Sequence, residues 1–154
     1  MGKERRGCIK VRLSPHFTLE ELTVSTTAAR KGWDNTPSAT EKTNLIRVAL
    51  LLEQVRDLFN LPIVVNSGYR AKILNDYIGS KDTSQHRIGC AADITIPGKT
   101  PKQVVEAIVK SDIPYDQVIQ EFDSWVHISV PDTAARPPRK QALIIDNNGT
   151  RIFK

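Results

Sequence analysis

Ser84-Gln85-His86-Arg87-Ile88-Gly89-Cys90-Ala91-Ala92-Asp93-Ile94-Thr95-Ile96 changes character at Gly89. Ser80 to Gly89 is a polar loop, and Cys90 to Ile96 is an apolar run of strand length bounded by turn residues. His86 therefore ends the loop, and Asp93 stands on the strand that the loop enters. A second histidine lies in Trp125-Val126-His127-Ile128-Ser129, again strand-like. Two imidazoles and one carboxylate suffice for an open zinc site, in which three side chains hold the ion and the fourth position is left to water. Gly89, Cys90, Ala91 and Ala92 keep the intervening backbone free of bulk, so that ligands can converge. Taken singly, His86 or His127 reads as an ordinary structural or solvated histidine; only the set of three points to a metal. The third histidine, His16, has no carboxylate or histidine at ligand spacing and reads as structural.

Working outward, Thr18 caps a short helix over Leu19 to Leu22, and Ser25 to Pro37 reads as loop. Ser38-Ala39-Thr40-Glu41 is a capping box, in which serine and glutamate satisfy each other's backbone donors. The helix behind it is predicted to run to about Phe59, because Leu45, Val48, Leu52, Val55 and Phe59 recur at three- and four-residue steps. Asn60-Leu61-Pro62 ends it, and Ile63 to Ser67 is a β-branched strand. A further helix covers Ala71 to Ile78, closed by Gly79. Thr100-Pro101 starts another that turns Val104, Val105, Ile108 and Val109 inward. Gln117 to Phe122 and Trp125 to Val130 are strands joined at Asp123-Ser124, and Asn147-Asn148-Gly149 makes a hairpin of Ala142 to Ile145 with Arg151 to Phe153. Helices early and antiparallel strands late predict an α+β fold, N-terminal helices packed on a mainly antiparallel sheet.

The 154 residues, 40% of them hydrophobic and 25% charged, fit one domain over residues 1–154. Its core spans 13–130, and 131–154 is a C-terminal extension with a hairpin. The formal charge of +5 favours an anionic partner without choosing one, and is equally what plain solubility needs. No helix carries a basic face interleaved with aromatics, so no nucleic-acid partner is expected. Cys8 and Cys90 form no metal or disulfide spacing motif. The N-terminus is basic but lacks an apolar follow-on, and Arg6 occupies the place where a myristoylation signal wants Ser or Thr. Neither a secretory leader nor a membrane span is expected, and a target beyond a membrane would need another protein for delivery.

A zinc site that hydrolyses amides needs a carboxylate to take a proton from water and pass it to the leaving amine. Glu121, on the strand paired with that of His127, is the first candidate, facing His127 across the hairpin; Asp123 in the turn is the second. Read from spacing alone, Glu121 is also readable as a salt-bridged strand residue. Arg70, in Ser67-Gly68-Tyr69-Arg70, stands at a strand-to-helix junction where a guanidinium can fork onto a carboxylate, of a substrate or of the protein itself. Tyr69 packs beneath it, and Ser84 is placed to donate to a substrate carbonyl or a metal ligand.

Ser67-Gly68-Tyr69-Arg70, Leu74-Asn75, Ser84 to Asp93 and Trp125 to Ser129 together resemble the signature of the M15 zinc peptidases. These include D-alanyl-D-alanine carboxypeptidases and related phage endolysins and share a fold with the hedgehog signalling domain. The similarity runs from about Leu13 to Val130. It implies a hedgehog/DD-peptidase-like fold, Zn2+ on His86, Asp93 and His127, Arg70 binding substrate, Ser84 assisting near the metal, and Glu121 as the catalytic carboxylate; Tyr69, beside Arg70, joins Arg70 and Ser84 in the expected substrate-binding set. Many relatives keep that acid three residues before the last histidine, where this chain has Ser124; the hedgehog-like pattern puts it six before, at Glu121. Trp125 stands where some relatives carry a further histidine.

The implied activity is hydrolysis of an amide bond in the peptidoglycan stem peptide, as carboxypeptidase or endopeptidase, and a monomer is favoured. The implied setting is a phage product that reaches the cell wall through a holin or within a virion. Two rivals come from other classes: a zinc-stabilised binding module without catalysis, and a virion component contacting the wall.

Overall fold

The computed structural model describes residues 11–154; the expectations about Cys8, Arg6 and a leader lie outside them. Strands β1 (Arg12–Ser14) and β2 (Phe17–Thr18) form a small antiparallel pair. Then come α1 (Thr26–Lys31), α2 (Ala39–Phe59), β3 (Val64–Ser67), α3 (Lys72–Ile78), a 3-10 turn (Gln85–Ile88) and β4 (Ala91–Thr95). The chain closes with α4 (Pro101–Val109), β5 (Gln117–Glu121), β6 (Trp125–Ser129), β7 (Gln141–Asp146) and β8 (Gly149–Ile152). The six later strands form one sheet in the order β3-β4-β6-β5-β7-β8. Every neighbouring pair is antiparallel except β5 with β7, so the α+β fold contains a mixed sheet.

Helix α2 starts at the Ser38–Glu41 capping box and ends where Asn60 turns left-handed at φ 51°. Leu45, Val48, Leu52 and Val55 are fully buried, and each such side chain contributes about 1.5–3 kcal/mol relative to exposure. Helices α2 and α4 lie on one face of the sheet, over Ala92, Ile94, Val118, Val126 and Ile128. Because side chains alternate along a strand, the intervening residues face the other way. Asp93 pairs with His127, His127 with Ile119, and Ile119 with Leu143, so these four share the face away from α2 and α4.

The structure corrects several expectations. Ser25 to Pro37 is not all loop: Ser25 caps α1 by accepting from the Ala28 amide, and Gly32 closes it at φ 69°. Thr18 accepts from the Glu21 amide as expected, but Leu19 to Leu22 forms only turns and no helix. Val109 is 41% exposed, unlike the inward Val104, Val105 and Ile108. Glu121 pairs with Trp125, so the β5–β6 turn has the three residues Phe122, Asp123 and Ser124, the first two at φ 50° and 52°. Among the described residues, no helix is long and apolar enough to cross a membrane.

Candidate active site

His86 is held in the 3-10 turn by backbone chemistry at both ends. The Ser84 hydroxyl accepts from the His86 amide at 3.3 Å, and Gly89 closes the turn at φ 77°. A side chain at Gly89 would meet the Glu41 carbonyl at 2.6 Å as well as the left-handed strain. The His86 carbonyl accepts from the Arg70 amide at 3.0 Å, which ties the turn to the segment following β3. That segment is redirected at Asn66: Val65 pairs with Ile94 but Ser67 with Asp93, two steps on β3 for one on β4. The bulge turns Ser67 to the face of Asp93.

The three ligand candidates converge. His86 Nε2 and His127 Nδ1 each lie 3.2 Å from Asp93 Oδ1, and one ligand atom from each residue falls within 4.8 Å of the others. All three residues are buried. His86 Nδ1 is 2.7 Å from the Gly68 carbonyl, which can only accept, so the ring proton sits on Nδ1. Burial lowers the His86 pKa against the pull of Asp93 and favours the neutral ring. Its Nε2 lone pair then faces a carboxylate oxygen, two acceptors with no proton between them. Facing lone pairs in a buried site are resolved by a cation, and the Nδ1–H bond to a carbonyl is the support typical of a ligating imidazole. The donor set fits a divalent metal ion.

Glu121 does not face His127 directly, because Ile119 occupies that register position. It stands two residues further along the same strand face, with Oε1 3.9 Å from His127 Nδ1. Trp125 Nε1 donates to Glu121 Oε2 at 2.9 Å and fixes the carboxylate. Burial raises the Glu121 pKa, and the charge of Asp93 adds to the rise against His127, Trp125 and Arg70. A carboxylate so displaced suits a proton carrier. Arg70 places a guanidinium nitrogen 3.4 Å from Asp93 Oδ2, and burial lowers its pKa. Its fork is thus partly engaged by the protein.

A cavity of ≈ 300 Å³ opens over this cluster, lined by Arg70, Ser84, His86, Asp93, Glu121, Trp125 and His127 among others. Asp123 is exposed at the turn and does not line it. Tyr69 is a core residue, 6% exposed, with its hydroxyl pKa raised by burial and by Glu41. It belongs to the hydrophobic core and does not line the cavity over the histidines. His16 sits apart, 2.7 Å from Glu53 Oε1.

Three supporting residues have roles that the sequence alone did not assign, although Gly68 and Asn75 stand within the quoted signature. Gly68 supplies the carbonyl that orients His86, and a Cβ there would lie 2.2 Å from the Leu22 carbonyl oxygen. Asp116, fully buried, accepts from Arg139 at 2.7 Å and from Gln85 Nε2 at 3.0 Å, bracing the residue before His86. Asn75 Nδ2 donates to the Lys81 carbonyl at 2.9 Å and shapes the loop at the cavity rim. Gly68 had a signal in Ser67-Gly68-Tyr69-Arg70; Asp116 had none, since its partners lie up to 31 residues away.

No curated protein matches the chain significantly. A family model described as Peptidase M15 matches residues 15–129, well over half of the chain and inclusive of every site residue above. With a buried His-Asp-His group able to hold a metal, the chain belongs to the peptidase M15 family of metallopeptidases.

Proposed function

We propose that the protein is a zinc-dependent peptidase acting on an amide bond of the peptidoglycan stem peptide. The observation that carries this reading is the buried meeting of His86 Nε2, Asp93 Oδ1 and His127 Nδ1 under an open cavity with Glu121 at its wall. Zinc suits two imidazoles and one carboxylate, and when bound there it polarises a carbonyl and acidifies water. Glu121, steadied by Trp125, takes the proton from water and hands it to the departing amine. Arg70 and the Ser84 hydroxyl, both lining the cavity, orient the peptide. Gly68 keeps His86 in the tautomer that leaves Nε2 free.

The whole chain acts as one domain of hedgehog/DD-peptidase-like arrangement, with residues 131–154 adding strands to its sheet. A monomer in a phage lysis or virion role fits the branch it resembles, and the net charge of +5 favours an anionic wall. The test is mass spectrometry of muropeptides after sacculi are incubated with zinc-loaded protein and with His86→Ala. New products from the first alone support the reading; identical digests contradict it.

A further inference from the structure

The family region holds a buried charge whose counter-charge comes from outside it. Asp116 stands just before β5, within the matched residues 15–129, and its side chain is fully buried. Burial strips a carboxylate of its hydration, and a partner of opposite charge must compensate. The donor that Asp116 meets inside the matched region is a neutral amide, Gln85 Nε2 at 3.0 Å from Oδ2. Its cations arrive later in the chain. Arg139 donates to the carboxylate from Nη2 to Oδ2 at 2.7 Å, from Nε to Oδ1 at 3.1 Å and from its backbone amide to Oδ1 at 3.0 Å. Arg136 Nη1 lies 3.4 Å from Oδ1.

Backbone bonds fix this segment against the sheet. The Lys140 amide donates to the Tyr115 carbonyl at 3.2 Å and the Gln141 amide to the Asp116 carbonyl at 3.0 Å, after which β7 runs parallel to β5. Lys140 takes φ 52°, between the residue that binds the carboxylate and the one that enters the sheet. A left-handed residue with a Cβ persists only where its surroundings hold it. On its other side Asp116 reaches the loop of the metal site. Gln85 Nε2 is shared between Asp116 Oδ2 and the Val130 carbonyl at 3.1 Å, and the Gln85 carbonyl accepts from the Cys90 amide at 2.9 Å. Gln85 and His86 are the first two residues of the four-residue 3-10 turn, so a shift of one carries the other.

We infer that Arg139 is a positioning residue of the metal centre: it compensates Asp116, Asp116 holds Gln85, and Gln85 keeps the 3-10 turn where His86 Nε2 meets Asp93 and His127. The segment after residue 129 is then a working part of the site, although the three ligand candidates all lie before it. The inference rests on the metal reading above and extends it to a residue beyond the family region. It separates two roles that an ion pair can have. A pair that only adds stability leaves the affinity of the folded protein for its ion unaltered. A pair that sets the place of a ligand changes that affinity, and does so through the residue that links them.

The test measures zinc Kd on the full chain by competition with a chromophoric chelator, at a temperature where each variant is folded, beside urea unfolding of the metal-free samples. Arg139→Ala should raise Kd about tenfold, the size common for loss of a group that supports a ligating histidine. Arg139→Lys keeps the charge without the fork and should recover part of that loss. Gln85→Met cuts the link while leaving Asp116 its arginines, and should raise Kd by a similar factor. In Gln85→Met protein the further change Arg139→Ala should lower the urea midpoint and leave Kd where it was, because the two act in series. Val55→Ala is the control for stability alone: Val55 is buried roughly 15 Å further along α2 than Leu45, the neighbour of Gly89, and its loss should lower the midpoint at the parent's Kd. A parent Kd in Arg139→Ala, or in Gln85→Met should the first not fold, overturns the inference and leaves the metal reading standing. An equal rise in Val55→Ala, or a full effect of Arg139→Ala in the Gln85→Met protein, overturns it as well. A parent protein that binds no zinc overturns both.

Discussion

Trp125 Nε1 donates to Glu121 Oε2 at 2.9 Å across the end of the β5–β6 hairpin. The pair is possible because Glu121 and Trp125 are register partners on the face that also carries His127, with the turn residues Phe122 and Asp123 in left-handed conformations. Trp125→Phe keeps the ring and removes the donor. kcat should fall about tenfold with little change in KM, since a carboxylate free to rotate is mispositioned for proton transfer. Glu121→Gln should cost about 100-fold to 10,000-fold in kcat while the protein still binds its metal. Steady-state kinetics with metal analysis of each variant checks both, and an active Glu121→Gln would favour a binding module over an enzyme.

Gly68 is confined by backbone. A Cβ there would sit 2.2 Å from the Leu22 carbonyl oxygen, and that oxygen is the acceptor of the Tyr69 amide at 2.8 Å. Gly68→Ala should destabilise the protein by about 1–3 kcal/mol, as overpacking against an atom that cannot yield commonly does. Urea unfolding measures this directly. Metal affinity should drop as well, because the same shift moves the carbonyl that orients His86.

Asp116 is held below the usual carboxylate range: burial opposes this, and hydrogen bonds from Arg139 and Gln85 outweigh it. A carboxyl depressed in the folded state contributes stability above its unfolded pKa and loses it as pH falls through the folded value. Asp116→Asn should therefore cost about 1–3 kcal/mol at pH 7, with the difference from the parent shrinking as pH drops below about 4. Thermal melts of both proteins from pH 7 to pH 3 test it. A constant difference would mean that Asp116 acts by shape alone.

Metal binding should couple to stability. An ion that binds only the folded protein adds stability as the logarithm of one plus its free concentration over Kd, about 2.7 kcal/mol at 100-fold excess over Kd, and so raises the melting temperature. Adding a chelator should lower the melting temperature of the parent protein and leave His127→Ala unmoved. An equal response of both proteins would place the ion elsewhere.

Much of this architecture is legible in local chemistry. Helix α2 announces itself by a capping box and a buried stripe, and the hairpin of β7 and β8 by Asn147-Asn148 before Gly149. Helix α1 does not, because only Ala28 is buried among its six residues and so no apolar period exists to read. His86, Asp93 and His127 can be selected by residue type and placed on a loop end and two strands. Their meeting depends on the pairing of β4 with β6, which no local pattern encodes. The diagonal place of Glu121 follows from a turn of three residues, and turn length shifts register by whole residues. Nor could the parallel joining of β7 to β5 be read locally, although it sets Leu143 and Ile145 beside the site. Asp116 was silent for the same reason: its partners are remote in sequence.

The most direct test of the metal centre is a crystal structure of the zinc-loaded protein with anomalous data collected at the zinc edge. One strong peak is expected, bonded at about 2.0–2.2 Å to His86 Nε2, Asp93 Oδ1 and His127 Nδ1, with an open position toward Glu121. A peak bonded to other residues, or none at these three, would contradict it.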